Sequence, residues 1–160
     1  MNYYSLNQKA PNTTFEDAVI KGLAPDRGLY FPETITALDP YFFESIETLS
    51  NEEIAYEAIK QFISPEIPKD ILKSIVSETL NFKFPIIKLT DSISTLELFH
   101  GPTMAFKDVG ARFMARCLGY FNENNSNEIT VLVATSGDTG GAVANGFLGV
   151  KGVRVIILYP

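Results

Sequence analysis

The sequence is short of the residues that build several kinds of site. It has no tryptophan, one cysteine and one histidine in 160 residues. One thiol, Cys117, cannot form an intrachain disulfide and fits a reducing compartment. One imidazole, His100, argues against a histidine-based metal centre. No run of four basic residues occurs, and a formal charge of −6 argues against a nucleic-acid surface. The longest apolar runs, Ile129 to Ala134 and Val153 to Tyr159, are far too short to span a bilayer. The first ten residues, MNYYSLNQKA, have neither the charged nor the apolar region of a secretory signal, so a cytoplasmic location is expected. Repeats and low-complexity segments are also lacking.

What is present is the composition of a globular α/β protein, 46% apolar and 20% charged. Thr13 and Glu16 read as a capping box opening a short helix with Phe15, Val19 and Leu23 on one face. Pro25 to Gly28 reads as a turn, and Leu29 to Phe31 as an extended segment stopped by Pro32. Ser50 and Glu53 form a second capping box, and Ile54, Ala55, Ala58, Ile59 and Phe62 follow the helical period behind it. Pro65 and Pro68 end that helix. A third carries Ile71, Leu72, Ile75, Val76 and Leu80 on one stripe, which reads as packing surface. The texture then changes, with a boundary near Asn81 to Pro85. Residues 1–83 are expected to form a small, mostly helical module, and 84–160 part of a domain with parallel strands.

In the second part, Phe84 to Leu89 and Thr95 to Phe99 read as strands about a Thr90-Asp91-Ser92 turn. Val109, Phe113, Cys117, Leu118 and Phe121 define a helix, with Cys117 in its core. Ile129 to Ala134, a helix to Leu148, and Val153 to Leu158 predict a βαβ unit with two buried parallel strands and a right-handed crossover.

Two stretches carry candidate chemistry. In ELFHGPTMAFKD, Glu97 to Asp108, a Gly101-Pro102 break delivers Lys107 beside Phe106 at the start of a helix. A lysine desolvated there would be an amine nucleophile; the competing reading is a solvated surface lysine. In TSGDTGG, Thr135 to Gly141, a glycine-rich turn joins a strand to a helix of small residues. Such a turn offers backbone N–H groups and a helix N-terminus to an anion, with Thr135, Ser136 and Thr139 adding hydroxyls. Its alternative is an ordinary tight turn. His100 reads as a hydrogen-bonded structural residue ahead of Gly101-Pro102, rather than as a base.

FHGPTMAFKD and VLVATSGDTGGAVA resemble the cofactor-lysine segment and substrate-carboxylate loop of the threonine synthases of bacteria and fungi, which are fold type II pyridoxal-phosphate enzymes. GLAPDRGLYFPE, Gly22 to Glu33, resembles the signature of their N-terminal domain. The resemblance implies a three-layer domain like tryptophan synthase β, following a threonine-synthase N-terminal domain over 1–83. It implies that Lys107 holds pyridoxal 5'-phosphate as a Schiff base and then shuttles protons, with Phe106 and Asp108 fixing its approach. It further implies that Thr135, Ser136, Gly137, Asp138 and Thr139 hold the carboxylate of O-phospho-L-homoserine, which water converts to L-threonine and phosphate. Lys107, Phe106 and Asp138 are the residues it assigns to the cofactor.

Asp138 stands where much of the wider superfamily has asparagine. An ionised carboxylate cannot donate a hydrogen bond, so either Asp138 accepts a proton or the backbone serves in its place. The family holds the cofactor's phosphate and pyridine nitrogen with residues that lie beyond Pro160. The sequence therefore reads as an N-terminal fragment, inactive alone, with an apolar strand edge at Val153 to Leu158. Another fold type II lyase or dehydratase is the neighbouring alternative, and a non-catalytic interaction module with a vestigial site is the more distant one. Two departures from the family pattern touch the N-terminal turn: Arg27 stands where glycine is usual, and Leu6 where threonine is.

Overall fold

The structure, a computed structural model, describes residues 1–135 and 137–159. The chain divides into two compact units, Met1–Ser77 and Glu78–Pro160.

The first unit begins with β1 (Tyr3–Ser5), α1 (Phe15–Lys21) and β2 (Tyr30–Pro32). No residue pattern announces β1, a three-residue strand that pairs antiparallel with β2, Tyr3 opposite Pro32 and Ser5 opposite Tyr30. Tyr3 and Ser5 point inward, and the Tyr3 hydroxyl donates to the Phe62 carbonyl at 2.7 Å. The turn before β2 is organised by Asp26, whose carboxylate accepts from the Ser5 hydroxyl, the Lys9 N–H and the Gly28 N–H. Arg27 in that turn has φ 68°, the left-handed region that glycine enters freely. Glycine's usual place there thus has a backbone cause, and the turn nevertheless closes through Arg27 N–H to the Ala24 carbonyl.

The capping box expected at Thr13 is corrected by one residue. Thr14 is the N-cap of α1, accepting from the Asp17 N–H, because Thr13 is committed to a two-way backbone bridge with Tyr3. The remaining donors at that helix start go to a distant carboxylate: Glu66 accepts from the N–H groups of Phe15 and Glu16. Tertiary structure displaced the local cap.

A short helix, α2 (Pro40–Ser45), follows with Asp39 at its N-cap and proline at its start. Then come α3 (Asn51–Ile63) and α4 (Lys69–Thr79). The Ser50–Glu53 box is present with both of its bonds, so here the local signal prevailed. The expected stripe on α4 is buried at Leu72, Ile75 and Val76, while Ile71 is 41% exposed.

The second unit opens with an antiparallel pair, β3 (Ile86–Lys88) and β4 (Ser94–Leu96), Ile86 opposite Leu96. Next are α5 (Asp108–Asn122), β5 (Ile129–Ala134), α6 (Asp138–Phe147) and β6 (Val153–Leu158). β5 and β6 pair in parallel from Ile129 opposite Val153 to Ala134 opposite Leu158, the expected βαβ unit. The strands are not buried on both faces, as their continuous apolar character suggested. Val131, Val133, Val155 and Ile157 are half-buried, whereas Leu132 and Ile156 on the alternate face are exposed. Cys117 and Leu118 lie in the core with Ala115, as the helical period of α5 requires. Buried Asn122 closes the unit, its amide donating to the Asn127 and Gly152 carbonyls.

Candidate active site

The loop that delivers Lys107 is wound around one carboxylate. Asp108 is fully buried, and it accepts from the Thr103 hydroxyl at 2.6 Å, the Thr103 N–H at 3.0 Å and the Ala105 N–H at 3.4 Å. Two backbone turns, Met104 N–H to the Gly101 carbonyl and Asp108 N–H to the Ala105 carbonyl, bring those donors inward. Met104 adopts φ 55° to make the bend. Asp108 is also the first residue of α5, where a negative charge faces the positive end of the helix. The result fixes Lys107 at the N-cap of α5, one residue before a buried anchor.

The second loop follows β5. Gly140 is packed where no side chain fits, since a Cβ there would lie 2.8 Å from Thr135 Cγ2 and 3.2 Å from Ile157 Cγ2. Gly137 and Gly141 are the opposite case: a Cβ at either would meet nothing within 4 Å. One glycine thus holds the helix against the strand, and two leave room on the open side. Gly137 N–H reaches the Thr135 hydroxyl at 3.4 Å, and Thr139 N–H donates to Asp138 Oδ1 at 2.9 Å. Ser136, also expected in this loop, lies outside the described residues.

The fold brings the two loops together. Lys107 Nζ stands 3.2 Å from both carboxylate oxygens of Asp138, thirty-one residues away in the chain. Both side chains are about half exposed, at 48% and 62%. The Lys107 amine, first by hydrogen bonding and then by its charge, holds the Asp138 carboxyl below the ordinary aspartate range. This is an ammonium–carboxylate pair facing open space at the N-terminus of a glycine-rich helix. It can orient a primary amine toward a ligand carrying its own negative charge. Phe106, beside the lysine, is 67% exposed and free to cover a bound molecule.

His100 is engaged elsewhere, Nε2 at 2.6 Å from Glu97 Oε2 with the ring stacked on Phe99. The anchoring roles of Thr103 and Gly101 were not evident in the sequence, although both sit within six residues of the lysine. A cavity of about 580 Å³ also occurs, lined wholly by the first unit. Several of its polar groups already have partners: Glu53 closes the α3 capping box, Glu57 pairs with Lys60, Asp39 caps α2, and Lys73 sits over Tyr56. Among the described residues there is no group of three or more potential metal ligands, and no helix long and apolar enough to cross a membrane.

Comparison with known proteins gives a consistent picture. The family described as threonine synthase N terminus matches residues 2–80. The threonine synthase of Buchnera aphidicola subsp. Acyrthosiphon pisum is 45% identical over the whole chain, which covers 37% of that protein. The crystal structure of PLP-bound threonine synthase from Brucella melitensis superposes with a TM-score of 0.92 at 35% identity, with 100% of this chain and 36% of that one covered. That of threonine synthase from Escherichia coli gives 0.87 at 38% identity, covering 100% and 37%. The chain therefore spans little more than a third of the length of the relatives it matches.

Proposed function

From the similarity of the whole chain to the N-terminal part of threonine synthases, we propose that it contributes the lysine and the substrate loop of a pyridoxal-phosphate-dependent threonine synthase. The reaction would convert O-phospho-L-homoserine and water to L-threonine and phosphate. In this reading residues 1–83 are the family's N-terminal domain, and 84–160 begin the cofactor-binding domain. The phosphate cradle and the partner of the pyridine nitrogen belong to residues outside this chain, which spans 37% of its relatives' length. A cytoplasmic setting accords with the lone, buried cysteine.

The observation that carries the reading is the Lys107–Asp138 pair beside an open, glycine-lined helix start. Its donor set suits the group: a primary amine for the aldehyde carbon, a carboxylate beside it, and room on the loop where Gly137 and Gly141 bear no side chain. When bound, the cofactor supplies an electron sink for charge developing next to the substrate's amino carbon. The protein's residues do the rest. Lys107 would hold the cofactor through its amine. It would take protons from the substrate's Cα and Cβ and deliver protons to Cα and Cγ; overall, the Cγ–O bond to phosphate is replaced by Cγ–H, and one Cβ–H by a Cβ–OH from water. Asp138 would keep the amine oriented. The loop from 135 to 139, with the hydroxyls of Thr135, Ser136 and Thr139, would bind the substrate carboxylate at the positive end of α6. Phe106 covers the cofactor.

Borohydride reduction of the full-length protein loaded with pyridoxal phosphate, followed by peptide mapping, tests the assignment. The label is expected on Lys107, and a label on any other lysine overturns it. Thr139→Val should lower kcat/KM for O-phosphohomoserine about tenfold to a hundredfold while cofactor loading persists. The size follows from losing a hydrogen bond to a charged group, ~1.5 to 3 kcal/mol. Unchanged kinetics would remove that side chain from the substrate site.

A further inference from the structure

Lys107 and Asp138 are both partly exposed, so surrounding packing does not by itself fix their separation. The helices that carry them do. α5 begins just after Lys107, and the Ala111 N–H, one turn on, donates to the Lys107 carbonyl at 3.0 Å. α6 begins at Asp138 and reaches Gly146 two turns later, roughly 12 Å along its axis at 1.5 Å per residue. At Gly146 the two helices meet backbone to backbone. A Cβ on that residue would stand 3.0 Å from Ala111 C, 3.1 Å from Ala111 O and 3.1 Å from Arg112 N. Main-chain atoms cannot turn aside as a side chain can, so any larger residue there must push the helices apart.

The same residue is gripped from α5. Arg116 Nη1 donates to the Gly146 carbonyl at 2.7 Å, and its Nε lies 3.2 Å from Glu78 Oε2, which orients the guanidinium. Arg112, one turn earlier, donates to the Glu78 main-chain carbonyl. A cation near the C-terminal end of α6 also favours the last carbonyls of that helix.

We propose that Gly146 and Arg116 are positioning residues for the Lys107–Asp138 pair, the backbone contact and the guanidinium bond together setting how closely amine and carboxylate stand. This rests on the reading of that pair given above, and it extends the site to residues two turns along α6 and nine positions beyond the lysine. Neither residue lies in the two loops that carry Lys107 and Asp138.

The test is the reactivity of Lys107 in the full-length protein without cofactor, measured by reductive methylation and peptide mass mapping, beside the thermal midpoint. An amine held against a carboxylate reacts slowly. Gly146→Ala and Arg116→Met are each expected to raise the Lys107 rate, by up to about fivefold, the fold-change carried by a partly exposed ion pair. The control is Gly119→Ala on the same helix, whose new Cβ would meet only Val150 Cγ1, at 3.0 Å, a methyl that can move. It should lower the thermal midpoint without changing the Lys107 rate. Unchanged Lys107 reactivity in both positioning variants overturns the proposal, as does an equal rise in the control. Should Gly146→Ala fail to fold, Arg116→Met carries the same comparison with the same two outcomes. Borohydride trapping decides the cofactor assignment separately, so either reading can fall without the other.

Discussion

A Cβ placed on Gly101 would lie 2.4 Å from Oδ2 of Asp108, closer than real atoms approach, so the glycine exists to let the loop close on that carboxylate. The two residues form one device: Asp108 gathers the donors of Thr103 and Ala105, and Gly101 makes space for it. Asp108→Ala leaves those donors without an acceptor and is expected to cost about 2 to 4 kcal/mol. Gly101→Ala should cost about 1 to 3 kcal/mol by overpacking. In the double variant the clash with the carboxylate is gone, and only the Cβ of residue 108, at 2.9 Å, still crowds the new methyl. Urea unfolding of all three should therefore show a double variant more stable than additivity allows; strict additivity would refute the coupling.

The acid side of the stability curve carries a signature of the Lys107–Asp138 pair. The folded carboxyl is depressed below its unfolded value, first by hydrogen bonds from Lys107 and then by its charge. Folding therefore takes up no proton at this site above the ordinary aspartate pKa, and the stabilisation is fully present there. It is lost as pH falls through the lower, folded value. Carboxyl NMR titration should find Asp138 below the usual aspartate range in the parent, and back toward that range in Lys107→Met. An Asp138 midpoint that ignores the lysine substitution would dissolve the pair.

Arg27 carries a side chain in the left-handed region, with φ at 68°. Left-handed backbone costs a side-chain-bearing residue roughly 1 to 2 kcal/mol, and glycine recovers part of this after its larger unfolded-state entropy is counted. Arg27→Gly is expected to stabilise the protein by about 0.5 to 1 kcal/mol in denaturant melts. A destabilised variant would show that the arginine side chain contributes more than its backbone costs.

Cys117 has no accessible surface, and burial pushes its thiol up to about 12. A thiol that stays protonated and enclosed does not attack. Iodoacetamide at pH 8 should leave the native protein unmodified and label it fully in strong denaturant. Rapid native labelling would mean that α5 opens locally.

Elements whose signals are local could be read from the residues alone. Ser50 and Glu53 made their capping box because both bonds run within one helical turn. The βαβ unit followed from two apolar runs and a small-residue helix between them, and Cys117 fell in the core by periodicity. Lys107 and the Thr135 to Gly141 turn could be singled out because residue type and spacing carry their chemistry. Tertiary structure decided whatever depended on partners far along the chain. Glu66, fifty residues from α1, took the donors that a local box at Thr13 would have used. β1 formed because β2 offered a partner, which three residues cannot announce alone. Above all, the resemblance assigned both Lys107 and Asp138 to the cofactor, but nothing in the sequence put their side chains in contact. Their meeting at 3.2 Å is a property of two helices packed at Gly146, where backbone touches backbone and side-chain patterning leaves no trace.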